Sequence, residues 1–331
     1  MLKGLILFII TVQFSYSQTI IKGKVLDQSV GKPIAYANIG IVNTSVGTIS
    51  NEDGTFALKL PDRNKYDSVL FSAIGYERKN VSIQSLFASD VTILLEEKIV
   101  QLNEVTIPSK REKNKHFELG NSRCKGGVLE TDTTYSGASI ALLIDNINPH
   151  YEDLEFPVYL EQARIRIYRN NLLSFKLRLR LYSLDSLTNQ PGEDLLDKSV
   201  VVESSMRNGW LEFDLSSFKF LVSKPFFIAF ERILTESDRT IIATSYKEFK
   251  RNNPNKVKVD TILFEGKKVV REMLMGGGID LPGTFIGIAT AESVQERKTC
   301  FTRKTRKSSF DKWEKVRGIL SATVTLANQL E

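Results

Sequence analysis

The sequence predicts an all-β protein built from two sandwiches, and three observations carry that expectation. Short apolar runs of period two recur along the chain, separated by turn signals about every eight to twelve residues, as in small antiparallel sandwiches. The chain has 331 residues, room for two ordinary domains. A polar, charged stretch, Pro108 to Lys115 (PSKREKNK), interrupts the strand pattern and contains no apolar residue, so it marks a boundary. The expected organisation is a signal peptide over 1–17, a first β-sandwich over 18–100, a linker over 101–116 and a second, larger sandwich over 117–331.

Residues 1–17 hold one Lys (Lys3), an apolar core from Leu5 to Phe14, and small residues at −3 and −1 of a cleavage site after Ser17. The apolar run is too short for a transmembrane helix, and no Cys follows it to take a lipid. The mature chain is therefore expected to be exported, with no membrane-spanning segment. It would lie in the periplasm, associated with the outer membrane, or at the cell surface. The formal net charge is +6; nucleic acid is a poor expectation for an exported protein of such modest charge.

In the first domain, Ile20 to Leu26 reads as a strand with Ile21, Gly23 and Val25 on one face. Ala35, Ala37, Ile39 and Ile41 share a face of the next. Asn51-Glu52-Asp53-Gly54 is a tight turn rather than a cation loop, because the regular ligand spacing of a calcium loop is missing. Phe56, Leu58 and Leu60 alternate, Ser68 to Ala73 follows, and Val91 to Leu95 closes the set. The series I-x-G-x-V-x-D (Ile21 to Asp27), G-x-P-I-x-x-A-N-I (Gly31 to Ile39), G-T-x-S-N-x-D-G-x-F (Gly47 to Phe56) and S-x-I-G-Y (Ser72 to Tyr76) resembles the carboxypeptidase-regulatory-like domain. The resemblance implies a transthyretin-like, seven-stranded sandwich that is not itself catalytic. In that family the module accompanies metallocarboxypeptidase domains or precedes the plug and barrel of outer-membrane receptors that import nutrients. Leu102 to Ile107 resembles the L-x-E-V segment that follows it in those receptors. Nothing plug-like or barrel-like comes after it here, so the segment is read as an edge strand or linker.

The second domain reads as an antiparallel, jelly-roll-like sandwich. Its expected strands include Ser139 to Ile144, the alternations about Ile165 and Leu179, Val200 to Val202, Trp210 to Leu215 and Phe226 to Phe230. Thr240 to Ala243, Val257 to Phe264, Val269 to Leu274, Phe285 to Ala289 and Leu320 to Leu326 complete them. The part from Leu177 to Glu231 also resembles β-sandwich modules of exported bacterial proteins. Trp210, leading a strand, is expected in the core.

Two alternations interleave arginine with apolar residues: Arg164 and Arg166 with Ala163, Ile165 and Ile167, and Arg178 and Arg180 with Leu177, Leu179 and Leu181. A hairpin about Asn171-Leu172 would set Arg164 opposite Arg180 and Arg166 opposite Arg178. Such facing like charges need counter-charges, which Glu212 and Asp214 have the alternation to supply. The four arginines are also the candidates for binding an anionic glycan. A second basic region holds nine Lys or Arg between Arg297 and Arg317; it reads as a solvated surface or as a contact for an anionic partner. Met273 to Gly278 reads as a plain loop, since no phosphate-loop Lys follows it.

Catalytic machinery is not legible. The only histidines are His116 and His150; neither has zinc-peptidase spacing, and no G-x-S-x-G surrounds a serine. No metal or cofactor is expected. Cys124 and Cys300 could form one disulfide or remain as two thiols. The expectation is an exported, non-catalytic binding or scaffold protein of the envelope, its ligand a glycan or a protein. The alternatives are an envelope hydrolase using acidic residues of the second domain, or an accessory subunit that docks on an outer-membrane receptor.

Overall fold

The computed structural model describes residues 19–44, 46–60, 68–87, 91–98, 114–128, 138–145, 154–264, 267–274, 281–289, 300–303, 312–316 and 318–329. The expected signal peptide, most of the linker, Leu102 to Ile107, His150, the triple-glycine loop and much of the basic region after Arg297 lie outside these residues.

The described residues of the first module form seven strands: β1 (Thr19–Asp27), β2 (Asn38–Ile41), β3 (Gly47–Ile49), β4 (Thr55–Leu60), β5 (Ser68–Ser72), β6 (Lys79–Ser82) and β7 (Val91–Leu95). They form two sheets, ordered β4-β1-β7 and β3-β2-β5-β6. All pairs are antiparallel except β1 with β7, which is parallel. Period two explains the core. Ile21 and Val25, Ile39 and Ile41, Phe56, Leu58 and Leu60, Val69 and Phe71, and Ile93 and Leu95 all point between the sheets and are buried. The Asn51–Gly54 turn closes as expected: Gly54 N–H donates to Asn51 O (3.0 Å), and the Asp53 carboxylate accepts from Thr55.

The second module continues with β8 (His116–Asn121), β9 (Gly126–Val128), β10 (Ser139–Ile144), β11 (Val158–Asn170), β12 (Phe175–Leu184), β13 (Pro191–Asp194), β14 (Val200–Ser204), β15 (Gly209–Asp214), β16 (Phe220–Val222) and β17 (Phe226–Ile233). After α1 (Glu236–Asn252) come β18 (Val257–Phe264), β19 (Lys267–Leu274), β20 (Thr284–Ala289), β21 (Cys300–Arg303), β22 (Glu314–Val316), β23 (Ile319–Leu320) and β24 (Ala322–Ala327). One sheet runs β13-β12-β17-β10-β21-β22, with β14 also on β12. The other runs β23-β20-β11-β24-β8, with β15 and β16 on β11 and β9 on β20. Their inner faces form one apolar core that includes Ile165 and Ile167 from one side and Leu177, Leu179, Leu181, Ile228 and Phe230 from the other. β18 and β19 pair as a separate two-stranded ribbon. Cys124 and Cys300 are both free thiols; Cys300 is buried and its sulfur accepts from Leu320 N–H.

Two sequence expectations are corrected here. β11 and β12 do not form a hairpin. They belong to opposite sheets, β11 pairing with β15, β16, β20 and β24, and β12 with β13, β14 and β17. The turn between them is used to cross the core, so Arg164 and Arg166 never face Arg178 and Arg180. Thr240 to Ala243 is not a strand but part of α1. Thr235 caps that helix with a reciprocal capping box to Asp238, Glu236 and Asp238 occupy its first turn, and Lys250 and Arg251 its last. These terminal signals outweigh the short β-branched run Thr240-Ile241-Ile242.

Candidate functional site

The four-stranded sheet of the first module presents its outer face to the outer face of β12. Alternation decides which residues meet there. Ile39 and Ile41 fill the core, so Asn38 lies on the opposite face of β2; Val69 and Phe71 do the same on β5, leaving Leu70 and Ser72 outside. On β12 the leucines point into the second core, and Lys176, Arg178, Arg180 and Tyr182 point out.

Charge, not apolar surface, dominates this junction. Arg178 is 1% exposed and Glu231 of β17 is fully buried. Glu231 Oε2 lies 3.8 Å from Arg178 Nη1 and 3.3 Å from Arg180 Nη1. Arg180 also donates through Nε (2.7 Å) and Nη2 to Asp194 Oδ2, giving two cations and two carboxylates that balance. Burial pulls the Arg178 guanidinium below its ordinary value, with Glu231 opposing. At Arg180 burial acts in the same downward sense, but Asp194, Tyr182 and Glu231 outweigh it and hold the group above. Arg178 Nη2 donates to the main-chain oxygen of Tyr36, which fastens the second module to the first.

Further ties flank this cluster. Lys176 donates to Glu52 (2.7 Å) and to the Tyr36 hydroxyl (3.2 Å). The hydrogen bond from Lys176 holds the Glu52 carboxyl below its ordinary range. Arg239 of α1 donates to Thr48 Oγ1 at 3.1 Å. Gly75 sits at φ +80°, and a Cβ there would lie 2.3 Å from the main-chain oxygen of Asp197. The bend read in Ile74-Gly75-Tyr76 is therefore also a point of contact between the modules.

Beside these ties the modules leave a cleft of about 720 Å³, within the range typical of ligand sites. Asn38, Ser72, Gly75 and Arg78 line it from the first module, and Arg180, Ser183, Asp185, Gly192 and Asp194 from the second. Lys98 and Glu193 face each other at its mouth, 4.0 Å apart. Asn38 is 1% exposed, and neither its amide nitrogen nor its amide oxygen has a hydrogen-bond partner. Each buried group left this way costs about 1–3 kcal/mol, so a free Asn38 needs an explanation.

The four arginines singled out by sequence thus divide. Arg178 and Arg180 lie under the first module. Arg164 and Arg166 lie on the outer face of the other sheet, flanking the half-buried ring of Trp210 with guanidinium carbons 5.7 and 6.0 Å from its centroid. Arg164 pairs with Glu118 and stands opposite Glu212 in the β11–β15 register. The ion-pair partner of Arg164 is thus Glu118 rather than the expected Glu212 or Asp214; Glu212 is its cross-strand neighbour, Trp210 stands opposite Arg166, and Asp214 sits opposite Gln162. Trp210 faces outward from its strand, not into the core. Trp313 packs edge-on against Tyr182 at 5.3 Å. His116 opens β8, its Nε2 lying 3.2 Å from Glu161 Oε2. Among the described residues no group of three or more His, Cys, Asp or Glu is arranged to hold a metal ion, and no helix is long and apolar enough to cross a membrane.

Sequence reasoning missed Asn38. It noted the residue only within A-N-I, and nothing local marks an amide whose partners are missing. Residues 21–107 match the family model of the CarboxypepD_reg-like domain, so the first sandwich is a module of that family and the second lies outside the match. No curated protein matches the chain.

Proposed function

We propose that the chain is an exported, non-catalytic binding protein of the cell envelope whose two sandwiches hold a ligand between them. The observation that carries this reading is the cleft, walled by both modules and floored by a buried, unpartnered Asn38. A CarboxypepD_reg-like module supports an envelope setting, and the leader-like residues 1–17 support export. The balanced charges of the junction support a rigid pairing of modules. Of the cleft carboxylates, Asp194 and Glu193 face Arg180 and Lys98, and Asp185 accepts from Leu187 and Thr188, an arrangement that suits holding a ligand better than acid–base chemistry.

Two measurements test the proposal. N-terminal sequencing of protein recovered from the envelope should begin at Gln18; an intact Met1 would overturn export by cleavage. Retention of ligands from glycan and peptide arrays should be lost in Ser72→Trp, which fills the cleft, with the fold kept by circular dichroism. Equal retention by this variant would place binding elsewhere and overturn the cleft as the site.

A further inference from the structure

Resting on that reading, the geometry points to the chemistry of the ligand: an extended peptide segment, held through its main chain by the Asn38 carboxamide. Asn38 offers one donor nitrogen and one acceptor oxygen, both unsatisfied, on the buried floor of the cleft. A peptide unit offers the complement, one C=O and one N–H. A single side chain can therefore satisfy a peptide group on both sides without reading its sequence.

The rest of the lining agrees. Ser72, Ala73, Gly75, Ser183, Ser186 and Gly192 are small, which leaves room for a main chain to approach closely. Arg180 is engaged with Asp194 and Glu231, and Lys98 faces Glu193. With Arg78 the described lining holds three cations against the four carboxylates Glu77, Asp185, Glu193 and Asp194, so it has no net positive charge to select a sulfated or uronic glycan. The one aromatic residue of the lining, Tyr76, packs on the first core and gives its hydroxyl to Asp27 at 2.9 Å. β13, which supplies Gly192, Glu193 and Asp194, ends its sheet. Edge strands of this kind accept an added strand through main-chain hydrogen bonds.

The test uses the full mature chain. A random seven-residue peptide display library and a glycan array are panned against wild type, Asn38→Leu and Ser72→Trp. Asn38→Leu replaces an unsatisfied amide by an apolar group of similar size, so the variant should melt at the same temperature or higher. Enriched peptides should bind it at least about tenfold more weakly than wild type. N-methylation of one central peptide nitrogen should give a similar loss. Peptides that bind Asn38→Leu as tightly as wild type overturn the inference. Glycans retained by wild type and lost in Ser72→Trp overturn the peptide assignment while leaving the cleft as a binding site. No retention of either class by wild type overturns both readings.

Discussion

Arg164 and Arg166 on one sheet, and Arg178 and Arg180 on the other, share a sequence pattern and meet opposite fates. Each pair alternates with apolar residues that fill the same core. The first pair faces outward beside Trp210 and Glu118, with the Arg164 side chain 26% exposed. The second is covered by the CarboxypepD_reg-like module, with Arg178 1% exposed. The difference teaches that an amphipathic strand defines only its inner face. What covers the outer face is set by another part of the chain, and it decides whether an arginine is a solvated surface group or a buried clamp.

The strongest way to break this contrast is to remove a counter-charge from the buried pair. Glu231→Gln leaves Arg178 and Arg180 sharing Asp194 alone and should cost about 3–5 kcal/mol in denaturant unfolding. Arg178→Met combined with Glu231→Leu removes both members of one pair and should restore most of that loss, because well-packed apolar replacements of buried ions are often near neutral. A double variant no better than Glu231→Gln would show that the cluster does more than neutralise itself.

Next in size is Gly75→Ala. Its positive φ and the close approach to Asp197 predict a loss of roughly 1–3 kcal/mol. The junction should open with it, seen as faster amide exchange at Tyr36 and Thr48. On the exposed sheet, Arg164→Ala removes a surface ion pair and a cation–π contact and should cost no more than about 1 kcal/mol. A cost equal to that of Glu231→Gln would erase the contrast.

The smallest effect separates the modules by pH. Asp27 of the first module is held at about 2 by the Ser29 hydroxyl, then the Val30 N–H and the Tyr76 hydroxyl, against the opposing pull of burial. Folding thus favours its ionised form. The stability it contributes is complete above the ordinary carboxylate range near pH ~4 and is lost as pH falls through about 2. Thermal midpoints between pH 5 and 2 should fall less steeply in Asp27→Asn than in wild type. Parallel slopes would remove Asp27 as a source of acid sensitivity.

Much of the first module was legible because its signals are local. The glycines, the Asn51–Gly54 turn and the alternation of Phe56, Leu58 and Leu60 each act over a few residues, and together they carry the family pattern. In the second module most of the long strands were legible, while the short β13, β16, β21 and β22 were not, and neither were the partners of any of them. The turn at Asn171-Leu172 reads equally as a hairpin or as a crossing between sheets. The helix after Thr235 was masked by its β-branched run, although its capping box was there to be read. In the candidate site, Arg178 and Arg180 were visible as residues but not as a clamp, and Asn38 carried no local mark at all.

The sequence by itself determined where most of the long strands lie, which of their side chains point inward, and that residues 21–107 form a CarboxypepD_reg-like module. These follow from period two and from turn chemistry, which depend on neighbours in the chain. Only the tertiary structure decided what meets the outward faces. Arg180 finds Glu231 51 residues away, and Arg178 finds the main chain of Tyr36 142 residues away. A buried charge is tolerated only where its partner arrives from elsewhere in the fold. For the same physical reason the unpartnered amide of Asn38, and with it the cleft, could be recognised only once both modules were in place.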